Sequence, residues 1–272
     1  MPDSPSPHRG HERRESRRIP VVTLYWDFLF GALRRTAGRA ASVRAALGVL
    51  LLAGIVVAVV GAGAFAWVAS HVRQGTTQAF DVAVLQWLGA HRTPVMDEAM
   101  LEITFLGTGL VVFVIVGVAA MFLYLTQHRY SAWLLLASTA GGIILNNVLK
   151  LGFARPRPTV LEWQAHAMSS SFPSGHAMSA AVVYGTVAYL AARLQQRRWA
   201  RIATMLLAAV LIFLICLSRL YLGVHYPSDV IAGVLVGLSW AAFCMVTLEG
   251  IQQFGARRPH IAKDEVKERR QG

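Results

Sequence analysis

Ser218-Arg219-Leu220-Tyr221-Leu222-Gly223-Val224-His225-Tyr226-Pro227-Ser228-Asp229 is a short polar island between two apolar runs, residues 202–217 and 230–248. A cation, an imidazole and a carboxylate are therefore held at the edge of segments that belong in hydrocarbon. Ionisable groups beside membrane spans are costly to keep there and by default carry function, in company with partners. Two further islands supply candidate partners: Lys150-Leu151-Gly152-Phe153-Ala154-Arg155-Pro156-Arg157-Pro158, and Phe172-Pro173-Ser174-Gly175-His176.

The apolar runs set the class of fold. Of 272 residues, 55% are hydrophobic and 15% charged, the balance of a membrane protein. Six runs, 45–70, 103–125, 131–149, 177–192, 202–217 and 230–248, reach or approach the roughly 17 to 25 residues that cross a bilayer. The expectation is an all-α, polytopic membrane helical bundle with six transmembrane helices. The fourth and fifth runs are short unless the crossing extends into the polar islands at their ends. Residues 1–44 read as a basic, partly disordered cytoplasmic segment, 45–250 as the membrane domain and 251–272 as a basic cytoplasmic tail. Cys216 and Cys244 both fall inside predicted spans, where they pack as small apolar side chains rather than forming a disulfide.

The net charge of +12 raises nucleic acid as a partner, and its distribution argues against it. With successive loops on alternate sides, one side collects nine Arg from the N-terminal segment, Arg129, the four arginines of 193–201 and six Lys or Arg of the tail. The other side has Arg73, Arg92, Lys150, Arg155, Arg157 and Arg219, four of them in the islands. Excess Lys and Arg marks the cytoplasmic face, which predicts both termini inside, all three islands facing outward and basic tails attracted to anionic lipid.

Between these features the chain is less informative. Residues 21–33, with Tyr25, Trp26, Phe28 and Phe30, suit an interfacial amphipathic helix. Within 74–98, Phe80, Val84, Leu85, Trp87 and Leu88 recur at helical spacing and predict a short helix on the outer surface. Asp97, Glu98 and Glu102 cluster beside the second run, but acidic residues are common in a first helical turn and no histidine stands nearby, so no metal site is expected. Gly141-Gly142 and Asn146-Asn147 place a small, hydrogen-bonding face on the third span, suited to packing inward.

The three islands together have the chemistry of an anion site. Lys150, Arg157 and Arg219 can converge on a small, highly charged anion, with arginine forks matched to phosphate oxygens and lysine acting as a point charge. Taken alone, Lys150 would read as a snorkelling helix-end residue. Ser174, Gly175 and His176 stand at the start of an apolar helix, where unpaired N–H groups and the helix dipole favour negative charge. A plain helix cap would explain Ser174 without explaining His176. His225 and Asp229, four apart, suit a carboxylate fixing an imidazole tautomer. Two histidines beside an anion cradle supply a nucleophile and an acid, and the residues alone leave open which is which.

Lys150, six residues, Arg157-Pro158; Pro173-Ser174-Gly175-His176; and Ser218-Arg219, five residues, His225, three residues, Asp229 together resemble the three-part signature of the type 2 phosphatidic acid phosphatase superfamily, which also contains the vanadium-dependent haloperoxidases. Every fixed position of that signature is present. The resemblance implies that His225 attacks phosphorus, Asp229 orients it, His176 protonates the leaving group and then activates water, and Lys150, Arg157, Ser174, Gly175 and Arg219 bind the phosphoryl oxygens. Arg155 lacks the family spacing and stands as an accessory. The resemblance further implies a membrane phosphatase without cofactor or metal, acting on a lipid phosphate or diphosphate of the undecaprenyl diphosphate, phosphatidylglycerophosphate or phosphatidic acid type. Glu162, Trp163 and His166 are placed to bear on headgroup choice. A lipid phosphotransferase would use the same site; a lipid-binding or transport protein would not need His176, His225 and Asp229 together. Haloperoxidase activity is disfavoured, those relatives being soluble.

Overall fold

The computed structural model describes residues 43–165 and 169–247. The N-terminal and C-terminal basic segments, the expected helix at 21–33 and His166 lie outside them. All regular structure among the described residues is helical: α1 Val43–Arg73, α2 Gln78–Ala90, α3 Pro94–Phe105, α4 Gly109–Leu125, α5 Arg129–Phe153, α6 Gly175–Leu194, α7 Arg198–Tyr221 and α8 Pro227–Thr247. Gly54–Arg73 of α1 and the whole of α5, α6, α7 and α8 are each long and apolar enough to cross a membrane, and α3 and α4 make a sixth crossing if taken as one broken span. The short fourth and fifth runs are completed as the sequence required. The helices run on through the islands, so His176 lies inside α6 and Arg219 inside α7.

Where the sequence suggests one continuous second span, the chain bends by 47° between α3 and α4. Leu106, Gly107 and Thr108 bond back three residues to Ile103, Thr104 and Phe105, a tightened turn that ends α3. The bend frees the Leu106 carbonyl, which accepts the Tyr184 hydroxyl of α6 at 2.8 Å. The surface helix of 74–98 is also two pieces. α2 buries Asp81, Leu85 and Leu88 and exposes Phe80 and Trp87. α3 restarts at Pro94, with Thr93 as an N-cap whose hydroxyl accepts the Met96 N–H, and Asp97 sits in its first turn.

Helix α6 is the axis of the bundle, with Ala177, Met178, Ala180, Ala181, Val182 and Val183 essentially inaccessible. Outward faces such as Val114, Val118 and Met121 of α4 or Leu206, Val210 and Phe213 of α7 are apolar and exposed, as a lipid-facing surface must be. Small residues set the closest approaches. A Cβ at Gly233 would lie 2.6 Å from the Ser174 carbonyl, and one at Gly237 2.7 Å from that of Met178, so two glycines one turn apart let α8 touch the α6 backbone. Gly141 and Gly142 of α5 accept the Trp240 ring of α8, whose Nε1 donates to the Ser138 carbonyl. Of the inward-packing face the sequence suggested, Gly141, Gly142 and Asn146 turn inward, whereas Asn147 is exposed.

Candidate active site

The three islands meet at one end of the bundle, each on a helix terminus. α5 delivers Lys150 in its last turn, α6 begins with Ser174 as N-cap, α7 ends with Arg219 in its last turn, and the turn 222–226 hands His225 to α8, which carries Asp229. Gly223 makes that turn possible, with φ of +73° and only a tight fit for a Cβ beside Leu161 and the Arg92 guanidinium. Arg92 donates to the Tyr221 carbonyl and, through Nη1, to that of Glu162, tying the turn to the α2–α3 connection and to the loop before α6. The Ser174 N–H donates to the Asp229 carbonyl at 3.0 Å, joining the second island to the third.

His225 is buried. Its Nε2 lies 3.3 Å from Nη1 of Arg157, a group that can only donate. Nε2 is thereby the lone-pair side of the ring, which places the proton on Nδ1. Nδ1 faces Oδ2 of Asp229 at 3.6 Å, an ion-pair distance beyond hydrogen-bond reach. Burial pushes the imidazole down to about 4; Asp229 pulls the other way, and the charges of Arg157 and Arg219 add to the effect of burial. A neutral, unprotonated Nε2 at neutral pH is the result.

Around it stand the cations. Arg157 is fixed by the carbonyls of Val224 (2.6 Å) and Ser169 (2.9 Å), and Lys150 by the Ser169 hydroxyl (2.8 Å) and the Ser170 carbonyl (3.1 Å). Arg219, almost inaccessible, donates from Nη1 to the Thr104 hydroxyl at 2.6 Å and keeps a buried Nε without a partner. His176 lies within electrostatic range of Arg219, His225, Lys150 and Arg157. Its ring is seated at the α3–α4 bend, where a Cβ on Gly107 would come within 2.9 Å of its Cδ2. Ser174 is buried at the N-cap position, yet its hydroxyl caps nothing and has no partner. Asn146 of α5 closes the floor, with Nδ2 3.2 Å from where a Gly175 Cβ would stand and an unpartnered Oδ1. All eight residues singled out from the sequence, Lys150, Arg157, Ser174, Gly175, His176, Arg219, His225 and Asp229, are thus brought together.

Several residues of this end were not foreseen. Asp81 of α2 is completely buried; its Oδ1 accepts the Ser228 N–H (3.0 Å), and its Oδ2 accepts the Ser228 hydroxyl (2.6 Å) and Nη2 of Arg155 (3.0 Å). Arg155, read as an accessory, also donates from Nη1 to Oδ1 of Asp229 at 2.6 Å and lies over the Tyr226 ring. The signal for Asp81 was available, since Asp81, Leu85 and Leu88 share one helical stripe and a carboxylate on a buried stripe calls for a cation. Among the described residues no three His, Cys, Asp or Glu side chains gather as metal ligands, and Asp97, Glu98 and Glu102 form no such group. Of the loop residues linked to headgroup choice, Trp163 is largely exposed with its Nε1 on the Pro158 carbonyl, and Glu162 offers only its carbonyl, to Arg92.

Residues 131–252, which carry all three islands, match the PAP2 superfamily, the type 2 phosphatidic acid phosphatases. The chain is also 35% identical over 178 residues to phosphatidylglycerophosphatase B of Bacillus subtilis (strain 168), an alignment covering 64% of this chain and 86% of that one. The chain belongs to the PAP2 superfamily. The crystal structure of a transmembrane PAP2 type phosphatidylglycerolphosphate phosphatase from Bacillus subtilis superposes with a TM-score of 0.66 at 29% identity, over 72% of this chain and 96% of that one. An undecaprenyl-diphosphatase of Sulfolobus acidocaldarius is 34% identical over 142 residues, half of this chain and 64% of its own length.

Proposed function

We propose that this PAP2 protein is a membrane phosphatase that hydrolyses a lipid phosphate or diphosphate by way of a phosphohistidine on His225. The observation that carries the proposal is the Nε2 of His225 facing Arg157 Nη1, a group that can only donate, at 3.3 Å among buried donors without partners. The Nε2 lone pair forms a bond to phosphorus while the bond to the lipid oxygen, or to the leaving phosphate of a diphosphate, breaks. His176 gives its proton to that oxygen. Water then attacks the phosphohistidine, losing its proton to His176, and the P–N bond breaks to release phosphate. Lys150, Arg157, Arg219, the Ser174 hydroxyl and the Gly175 N–H hold the phosphoryl oxygens, so that charge developing at the transition state meets donors already in place. The Asp229 carboxylate, 3.6 Å from Nδ1, offsets the positive charge that His225 gains.

Three cations on one phosphoryl group supply the neutralisation that a divalent metal supplies elsewhere, so hydrolysis is expected to be metal-independent. The charge distribution supports both termini in the cytoplasm and the site on the outer face. Relatives act on phosphatidylglycerophosphate and undecaprenyl diphosphate by name, which makes these, with phosphatidic acid, the substrates to test. Purified protein in detergent should release free phosphate from at least one of the three, unaffected by exhaustive chelation and inhibited by vanadate. Loss of turnover on chelation with recovery on magnesium would overturn metal independence. Phosphate found only on an added acceptor lipid would make the protein a phosphotransferase.

A further inference from the structure

Behind the His225 imidazole, on its Nδ1 side and opposite the Arg157 guanidinium at Nε2, lies a buried cluster of charges built from three separate parts of the chain. Asp81 comes from α2, Arg155 from the loop after α5, and Ser228 and Asp229 from the first turn of α8. One guanidinium serves two carboxylates, with Nη2 on Asp81 at 3.0 Å and Nη1 on Asp229 at 2.6 Å. Ser228 closes the ring, its hydroxyl accepting from Arg155 at 2.8 Å and donating to Asp81 at 2.6 Å. Asp81 and Asp229 are both fully buried.

Charge balance is the unusual feature. A buried carboxylate needs one partner, and Arg155 alone would neutralise Asp229; the pair would then do little for a positive charge arising on His225. Burial of a second carboxylate is costly unless it is paired and hydrogen-bonded. Asp81 meets that cost with two Ser228 donors and half of Arg155, and the cluster as a whole keeps one net negative charge. Oδ2 of Asp229, held by the Tyr226 N–H at 2.8 Å, is the cluster's edge toward His225 Nδ1. In front of the same ring, Arg157 and Arg219 oppose any gain of positive charge. Attack through Nε2 creates that charge, since the ring keeps its Nδ1 proton while bonding to phosphorus.

We propose that Asp81 is a positioning residue of the phosphoryl-transfer site: by sharing Arg155 with Asp229 it fixes the Asp229 carboxylate and preserves one net negative charge behind His225. Asp81 touches neither substrate nor imidazole and acts through Arg155. The proposal rests on His225 as nucleophile, and the experiment separates the two.

The test uses the full chain purified in detergent with a lipid phosphate that it hydrolyses. It compares Asp81→Asn, Arg155→Met and the double variant, measuring kcat, KM, the vanadate inhibition constant and thermal unfolding. Asp81→Asn leaves a neutral Arg155–Asp229 pair. It should lower kcat roughly 10- to 100-fold, the range that outer partners of a functional group command, with KM and vanadate inhibition within about threefold of the parent, because the anion cradle is untouched. The double variant restores the net charge of the cluster and leaves no guanidinium unpaired; it should recover several-fold in kcat over Asp81→Asn despite losing a second side chain. A folded Asp81→Asn protein with parental kcat overturns the proposal. So does a parallel loss of kcat and vanadate affinity, which would mean that Asp81 merely supports the whole site. A double variant no better than Asp81→Asn removes the charge-balance role, and failure of both to fold would make Asp81 a residue of the fold. Full activity in His225→Ala would defeat the underlying assignment instead, whatever the Asp81 variants do.

Discussion

The two sides of the His225 imidazole are built by opposite rules. In front, Arg219 Nε and the Ser174 hydroxyl are buried without partners, and Lys150, Arg157 and Arg219 lie within electrostatic range of one another, with Asp229 the carboxylate that acts on Lys150 and Arg157. Behind, every oxygen of Asp81 and Asp229 accepts a hydrogen bond, and the one cation there is shared between them. Orphaned buried donors cost on the order of 1–3 kcal/mol each, so the front is a place where stability is given up for a ligand. The carboxylates at the back are satisfied by the protein itself, and the Nδ1 of His225 that faces them makes no hydrogen bond. On the proposed mechanism, the anion's charge is answered in front and that of the reacting imidazole behind.

The comparison breaks most completely at the ring that both sides share. His225→Ala should abolish lipid hydrolysis and leave no acid-labile, base-stable phosphate on the protein, while vanadate still binds the intact cradle. Phosphoprotein trapping by rapid acid-free quench, with equilibrium vanadate binding, checks both halves. Label on Ser174 or His176 would reassign the nucleophile and leave the front of the site standing.

Removing one front cation should cost less and in a different way. Arg219→Ala deletes a buried, unpartnered Nε and frees the Thr104 hydroxyl. A preorganised donor of this kind is worth about 10²–10³ in kcat, and vanadate affinity should fall with it. That parallel loss is the signature of the front, as a kcat loss at constant vanadate affinity is the signature of the back. A variant with unchanged vanadate inhibition would show that Arg219 belongs with the scaffold.

What the sequence discloses follows the same division. The candidate site residues sit in three islands whose fixed spacings reach helix ends, so the convergence of eight candidate positions was legible from the sequence. The back depends on a contact between Asp81 and residues more than seventy positions away, and no local pattern links α2 to Arg155. Its trace is a single carboxylate on the stripe of Leu85 and Leu88. The bend at Leu106–Thr108 was equally hidden, because hydropathy is continuous from 103 to 125 and its contacts, His176 against Gly107, Arg219 on Thr104 and Tyr184 on the Leu106 carbonyl, come from distant helices. Likewise Gly233 and Gly237 read as ordinary small residues until α6 is placed against them.

The smallest expected effect concerns pH, and it weighs front against back directly. Asp229 raises the proton affinity of His225, while burial, Arg157 and Arg219 lower it, and the balance stands at about 4 instead of the ordinary 6.5. If Nε2 must be unprotonated to attack, kcat/KM for the free enzyme should show no His225 limb between pH 8 and 5 and should fall only near pH 4. The profile has to be divided by the substrate's own ionisation, near pH ~6 for a phosphate monoester. Stability runs in the same sense: the unfolded chain takes up this proton at about 6.5 and the folded protein not until about 4, so the contribution of His225 is full above the higher value and is lost as pH falls between the two. Thermal unfolding across that window reads the loss independently of catalysis. Asp229→Asn removes the one upward pull and should move any residual acid limb lower still. A limb at 6.5 in the parent protein would mean that the carboxylates behind the ring balance burial and the cations in front, and the two sides would then be equal partners in setting the charge of the nucleophile.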